Sequence, residues 1–283
     1  MKNYFADLIY KDGIYSTAVV STVNFPLNGN KININIEENS FWYQLRNTCI
    51  LQIINKFQPK GNIVEIGGGN GYVSKAIQDN GFEVILIEPD YNGIVNAKKR
   101  GIRNLVCSTL SDLKGTEKKL ENAALFDVLE HVKDDSKFIN QLWMYLKDEA
   151  LLFITVPSYN ILYSMEDIHA GHFRRYSLKK LKQVLINNGF IIEYQTYLFS
   201  YLFFPIYFLK ALPTILKIGK YKSLDKYTTK QNEHTYKSEH LVKNNLFLKV
   251  LNIFHHIELM IIRNLTKIPF GSSCLIVARK INP

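Results

Sequence analysis

The sequence predicts an α/β protein: a doubly wound, mostly parallel sheet with helices on both faces and a helical insertion before the last strand. Three observations carry this expectation. Between residues 62 and 198, short apolar runs alternate with segments of helical period. The first run ends in a glycine-rich turn, EIGGGNG, and the second ends in an acid, Glu88. A final apolar run, SSCLIVARK (272–280), returns only after some 70 residues of different character.

Residues 1–38 read as an N-terminal extension with extended segments: YSTAVVSTVNF and KININ flank the turn signal Pro26-Leu27-Asn28-Gly29-Asn30. In ENSFWYQLRNTCILQIINKF (38–57), Phe41, Leu45, Thr48, Ile50 and Ile54 recur at helical spacing, and Gln58-Pro59 stops the helix. Core packing is the ordinary role for Phe41, Trp42 and Tyr43; a helix lying over a ligand pocket is the alternative.

The core, 39–199, continues as strand, helix, strand, helix. NIVEIGG is followed by the helix YVSKAIQDNG, and FEVILIEPD by the helix YNGIVNAKKRG. IRNLVCS and NAALFDVLEH make the third and fourth strands, and KDDSKFINQLWMYLKD a helix. The apolar strand ALLFITVPS, the helix SLKKLKQVLINNG and the strand FIIEYQTYL complete the series. Strands this apolar belong to a sheet covered on both faces. Residues 200–270 mix apolar, helix-like sequence with Lys210, Lys217, Lys220, Lys222, Lys226 and Lys230. So long a connection reads as a helical insertion forming a cap, a dimer face or a membrane-facing surface, with the last core strand in 271–283.

Of the 283 residues, 47% are hydrophobic and 21% charged, which excludes a disordered chain and suits one large domain carrying an insertion. A net charge of +10 points to anionic partners: phosphate-bearing substrates, nucleic acid or a membrane surface. Lysines spread over a solvated surface would give the same balance. Nucleic acid is disfavoured, since no RNA-binding motif or aromatic-basic platform accompanies the charge. Cys49, Cys107 and Cys274 are odd in number and far apart, without disulfide or metal spacing. With no N-terminal signal peptide, they point to the cytoplasm. The apolar run Tyr197–Leu209 spans 13 residues before Lys210, and Pro205 and Pro213 interrupt the segment. A spanning helix needs about 20, so a buried or interfacial hairpin is expected, peripheral to the inner membrane face at most.

The chemistry concentrates at strand ends. Gly67, Gly69 and Gly71 let the first strand turn tightly into its helix and let backbone approach a ligand. Glu88, 17 residues after Gly71, is placed to hydrogen-bond ribose hydroxyls. A dinucleotide fingerprint would want glycine where Tyr72 stands. The run is instead E-x-G-x-G-x-G, with Glu65 two residues before the first glycine. A pyrophosphate is repelled by that acid and a sulfonium attracted, which favours S-adenosylmethionine over NAD.

These residues carry a resemblance. EIGGGNG, the Glu88 strand end and FDVLEHVKDD resemble the class I S-adenosylmethionine-dependent methyltransferases. SFWYQLRN, DVLEHVKDD, TVPS and D-x-x-x-G-H-x-R-R-Y are similar to a bacterial type 11/12 subgroup, many of whose members lie near polysaccharide or other specialised biosynthesis genes. The resemblance implies a Rossmann-like seven-stranded sheet with the last strand antiparallel. It implies that Glu65, Gly67 and Gly69 surround the methionine part, Glu88 holds the ribose, and Ser108, Thr109 and Leu110 lie by the adenine, with Asp127 near the cofactor. Related enzymes often carry Asp after the third strand, where this chain has Cys107-Ser108-Thr109-Leu110. D-x-x-E-H also resembles the metal-linked E-x-x-E-H of ubiquinone-pathway O-methyltransferases, making Asp127, Glu130 and His131 an alternative metal set.

The loop SMEDIHAGHFRRYS (164–177) follows the fifth strand, so it falls at the carboxyl edge where open α/β sheets bind ligands. An imidazole suits a general base for a hydroxyl acceptor, with His172 the first candidate and His169 the second. Asp167, Arg174, Arg175 and Tyr176 are expected on the substrate side, one arginine bracing the loop and one facing the pocket. The leading function is O-methylation of a small or carrier-linked metabolite. N- or carboxyl-methylation, RNA or protein methylation, and a non-catalytic binding module are the alternatives.

Overall fold

The computed structural model describes residues 1–26, 29–218 and 245–282. It contains a nine-stranded mixed sheet and a separate two-stranded ribbon. The strands are β1 (Phe5–Ala6), β2 (Ile9–Lys11), β3 (Ile14–Ser16), β4 (Ile63–Ile66), β5 (Val84–Glu88), β6 (Asn104–Cys107), β7 (Lys114–Gly115), β8 (Asn122–Phe126), β9 (Leu151–Pro157), β10 (Phe190–Leu198) and β11 (Ser273–Lys280). The sheet order is β10-β11-β9-β8-β4-β5-β6-β3-β2, and β1 pairs with β7.

All seven expected core strands form, and β11 lies antiparallel between β10 and β9. The count is nine rather than seven because the N-terminal hairpin β2–β3 adds to the edge, β3 running parallel to β6. Alternate residues of the central strands feed two cores. Leu152, Ile154 and Val156 of β9 face one side, Leu151 and Phe153 the other. Such strands are apolar throughout because helices cover both faces.

Among the described residues the helices are α1 (Gly29–Asn33), α2 (Phe41–Phe57), α3 (Tyr72–Asp79), α4 (Tyr91–Lys99), α5 (Asp135–Tyr145), α6 (Met165–Ala170), α7 (Leu178–Asn187), α8 (Ser200–Ile206), α9 (Leu212–Ile215) and α10 (Asn245–Arg263). Polar N-caps start several of them: Asp90 accepts from Asn92 N–H, Asp134 from Lys137 N–H and Ser177 from Lys180 N–H. α5 and α7 cover one face; α2, α3, α8 and α10 cover the other.

Two expectations are corrected. KININ, expected extended, begins inside α1, because the Asn30 backbone and side chain are bound by Asn70 and Asp90. Of YSTAVVSTVNF (15–25) only Tyr15 and Ser16 are strand, the end of β3 (Ile14–Ser16). Within 200–270 the described helical residues are α8, a π-turn at Tyr207–Ala211, α9 and α10, and residues 264–270 are turn and loop. Lys220, Lys222, Lys226 and Lys230, with Leu27 and Asn28 of the turn signal, lie outside the described residues. No described helix is long and apolar enough to cross a membrane. Cys49, Cys107 and Cys274 are buried and unpaired.

Candidate active site

After β4 the chain turns into α3 through Gly67, Gly69 and Gly71, with φ of 75°, 53° and 73°. A Cβ on Gly67 would stand 2.8 Å from a Val128 methyl, and one on Gly71 would stand 2.8 Å from Ala97 Cβ. Left-handed backbone and crowding together require glycine there. Glu88 closes β5 and accepts from Gly69 N–H (2.9 Å) and Asp90 N–H (2.9 Å), so the acidic strand end and the glycine loop are one unit. Glu65 accepts from the Ser74 hydroxyl and lies within the field of Arg46. Burial pushes both carboxyls up to about 7, and their hydrogen bonds pull them back only in part.

Beyond β6, the Ser108 hydroxyl is buried and shares a hydrogen with Thr17 (3.0 Å), while Leu110 packs into the core. Thr109 donates to Asp112 (2.7 Å), which also accepts from Ser21 N–H (2.7 Å). Asp112, the next acid along this loop, is thus engaged by Thr109 and Ser21. After β8, Asp127 takes a positive φ of 57°, accepts from the Thr155 hydroxyl (3.2 Å) and pairs with Arg46. Arg46 lies 4.9 Å over the Trp42 ring, so α2 brings a cation beside Asp127 as well as packing the core.

Sequence reasoning missed Arg46, and it missed a network laid over the glycine loop. Asn70 donates to the Asn30 carbonyl (2.9 Å) and to Glu37 (3.0 Å), and Arg100 pairs with Glu37 at 2.5 Å. Arg46 had a signal, a charge on the buried stripe of an amphipathic helix. The asparagine network had none.

The lip 164–177 is built around Asp167. Ser164 and Asp167 form a capping box at the start of α6, which Gly171 ends with φ 78°. Fully buried, Asp167 accepts from His172 Nδ1 (2.7 Å), Arg175 Nε (2.8 Å) and Arg175 Nη2 (2.9 Å). Burial alone would raise this carboxyl, but His172 and Arg175 overcome it and hold it at about 2. Arg174 donates to Asp135 (2.9 Å), and the buried Tyr176 donates to the same carboxylate (2.8 Å). Both arginines are therefore held by protein carboxylates, where one had been expected to face the pocket. Glu166 pairs with Lys210, and His169 is half-buried on α6.

His172 meets the fourth-strand residues. Its ring lies 4.6 Å from that of His131, and its Nε2 is 4.0 Å from Glu130 Oε1. Glu130 is fully buried with neither carboxyl oxygen hydrogen-bonded, and burial beside Asp127 raises it well above the usual carboxylate range. His131 hydrogen-bonds through Nδ1 to the Asn24 carbonyl (3.0 Å) and is lowered by burial and by His172 to about 4. Among the described residues, the group whose donor atoms lie within 4.8 Å of one another is Glu130, His131 and His172. Asp127, included in the alternative metal set, is instead engaged by Arg46.

Comparison with known proteins places this geometry. A probable S-adenosylmethionine-dependent methyltransferase of Mycobacterium tuberculosis (strain ATCC 25618 / H37Rv) is 22% identical over 179 residues, covering 62% of this chain and 65% of the relative. A counterpart from Mycolicibacterium smegmatis is 20% identical over 59% of this chain and 66% of its own length. The chain thus matches just under two thirds of these relatives. Phosphoethanolamine N-methyltransferase 2 of Haemonchus contortus, solved with S-adenosyl-L-methionine, shares the fold at TM-score 0.56 and 18% identity, over 94% of this chain and 61% of that one. A possible histamine N-methyltransferase of Thermotoga maritima does so at TM-score 0.52 and 13% identity, over 90% and 96%. A model of the methyltransferase-domain family matches residues 41–195, more than half of the chain, and the chain belongs to that family.

Proposed function

We propose that the protein is an S-adenosylmethionine-dependent methyltransferase that methylates a hydroxyl of a small or carrier-linked metabolite, in polysaccharide or other specialised biosynthesis in the cytoplasm. The chain's own residues fit the cofactor. The left-handed turn at Gly67 and Gly69 brings bare backbone to the end of β4, where a side chain would clash with Val128 or crowd Asn30. Glu65 is a buried acid suited to a cationic group, and Glu88 a buried acid suited to ribose hydroxyls. When bound, S-adenosylmethionine supplies an electrophilic methyl group on a sulfonium. The protein's task is to hold the acceptor in line, exclude water and take the hydroxyl proton.

The Asp167–His172 pair carries the choice of a hydroxyl acceptor. A carboxylate held at about 2 can only accept hydrogen bonds near neutral pH, so the proton between them sits on Nδ1. That tautomer leaves a lone pair on Nε2, on the side of Glu130. With acceptor and methyl donor bound, Nε2 of His172 would take the hydroxyl proton released on transfer. Asp167 then faces an imidazolium, which it stabilises. His172→Ala is expected to lower turnover by about 10²–10⁴-fold while S-adenosylmethionine still binds by calorimetry. Wild-type turnover in that variant would remove the base.

A further inference from the structure

Helix α10 is built inside out. The side it lays on α2 carries His255 and Glu258, both buried, along with Leu251 and Ile262. Thr48 of α2 hydrogen-bonds His255 (3.2 Å), and Glu258 accepts from Phe199 N–H (2.8 Å) and Ser200 N–H (2.6 Å). The outward side carries Val250, Ile253, Phe254, Ile257 and Met260, all exposed, with Ile253 at 61%. A soluble helix normally shows the reverse arrangement, and the outward spacing is that of one helical stripe. The α8–α9 segment adds exposed Phe204, Phe208, Leu209 and Ile215. An aromatic contact joins the two into one surface, Tyr201 stacking on Phe254 (6.0 Å), and Phe204 also meets Phe270 of the loop after α10 (6.2 Å). Patches of this kind mark interaction sites.

Charge selects the partner. Among the described residues of 200–218 and 245–270, five Lys and Arg (Lys210, Lys217, Lys249, Arg263 and Lys267) stand against one acid, the buried Glu258. A second copy would bring two such faces together and repel. An anionic bilayer offers both a negative surface and an apolar interior. We propose that the outward face of α10, with the α8–α9 segment, docks peripherally on an anionic lipid bilayer. This surface also adjoins the substrate lip: Lys210 pairs with Glu166, Met165 N–H donates to Thr214 (3.4 Å), and Tyr159 meets Phe203 (5.6 Å). Docking therefore sets the lip beside the headgroups, where a lipid-linked acceptor presents its polar end.

The test is flotation of the full chain with vesicles of phosphatidylcholine, alone or mixed with phosphatidylglycerol, at low and high salt. The protein is expected to float with the anionic vesicles and to be released by salt. The double variant Ile253→Ser, Phe254→Ser is expected to bind them at least roughly tenfold more weakly. Its melting temperature and its S-adenosylmethionine binding by calorimetry should match wild type, which separates this inference from the proposed methyl transfer. Three results would overturn it: no flotation of wild type at low salt, equal flotation of the variant, or a wild-type dimer that the variant converts to monomer.

Discussion

Buried carboxylates stand at two places along the same sheet edge, and burial leaves them in opposite states. Glu65 and Glu88, around the glycine loop, are pushed up to about 7. Asp167, in the lip, is held at about 2. The difference is in the partners. Glu65 and Glu88 accept from a hydroxyl and from backbone N–H groups, which are neutral donors. Asp167 accepts from an imidazole and a guanidinium. Neutral donors offset only part of the desolvation cost of a buried charge, whereas an internal cation offsets all of it. The lip is thus electrostatically complete before any ligand arrives and works as a frame for His172. At the glycine loop Arg46 is paired with Asp127 and reaches Glu65 only through its field, so Glu65 stays raised until a cation such as a sulfonium arrives.

The lip gives the largest effect. Asp167→Ala leaves the Arg175 guanidinium buried without its carboxylate, and breaking such a pair costs about 3–5 kcal/mol. Denaturant unfolding at neutral pH should show a loss of that size. The sign of the pH dependence follows from the depressed carboxyl: its stabilisation is present above its ordinary value of 3.8 and fades as pH falls from there towards about 2. The variant should therefore lose this acid dependence together with the stability. A loss below about 1 kcal/mol would mean that Arg175 finds another partner and that the lip is not a closed ion cluster.

The contrast between the two sites also marks what the sequence could reveal. The glycine loop announces itself because tight backbone and a fixed spacing to Glu88 leave a local pattern, and seven strands of the sheet follow from apolar alternation. The lip could be located, since it follows the fifth strand, but the pairing of its charges could not. Arg174 chose Asp135 at the start of α5, and Arg175 chose Asp167, by tertiary geometry alone. The two extra strands and α1 were illegible for a related reason. Ile14–Ser16 is too short to show a period, and α1 forms from asparagine-rich sequence because Asn70 and Asp90 bind Asn30. The insertion's basic and apolar composition was plain, while the inversion of α10 depends on which face α2 covers.

A substitution in the loop sharpens the contrast. Glu65→Gln keeps an oxygen that can accept from Ser74 but can never ionise. A carboxyl raised to about 7 makes stability fall as pH climbs from its ordinary 4.5 to about 7, because only the unfolded chain ionises over that range. The variant should therefore melt higher than wild type at pH 8, while binding S-adenosylmethionine roughly tenfold to a hundredfold more weakly. Greater stability with lower affinity is the signature of an acid kept for a ligand. A variant that loses both has lost a structural group instead.

The smallest effect is the most direct reading of these carboxyls. With Glu65 and Glu88 near 7, a good part of each is protonated at neutral pH; a bound sulfonium favours the ionised form of Glu65, and donated ribose hydroxyls favour that of Glu88. Binding of S-adenosylmethionine at pH 7 should therefore release a fraction of a proton. Calorimetry in buffers of different ionisation enthalpy would show it as a slope in the apparent binding enthalpy. Affinity should rise severalfold between about pH 6 and 8 and level off above, since both acids are then ionised in the free protein. The demethylated cofactor is a neutral thioether and should show a flatter profile and a smaller release. Equal slopes for the two ligands would mean that the acids respond to the adenosine or amino-acid parts, and the match between the loop and a sulfonium would fail.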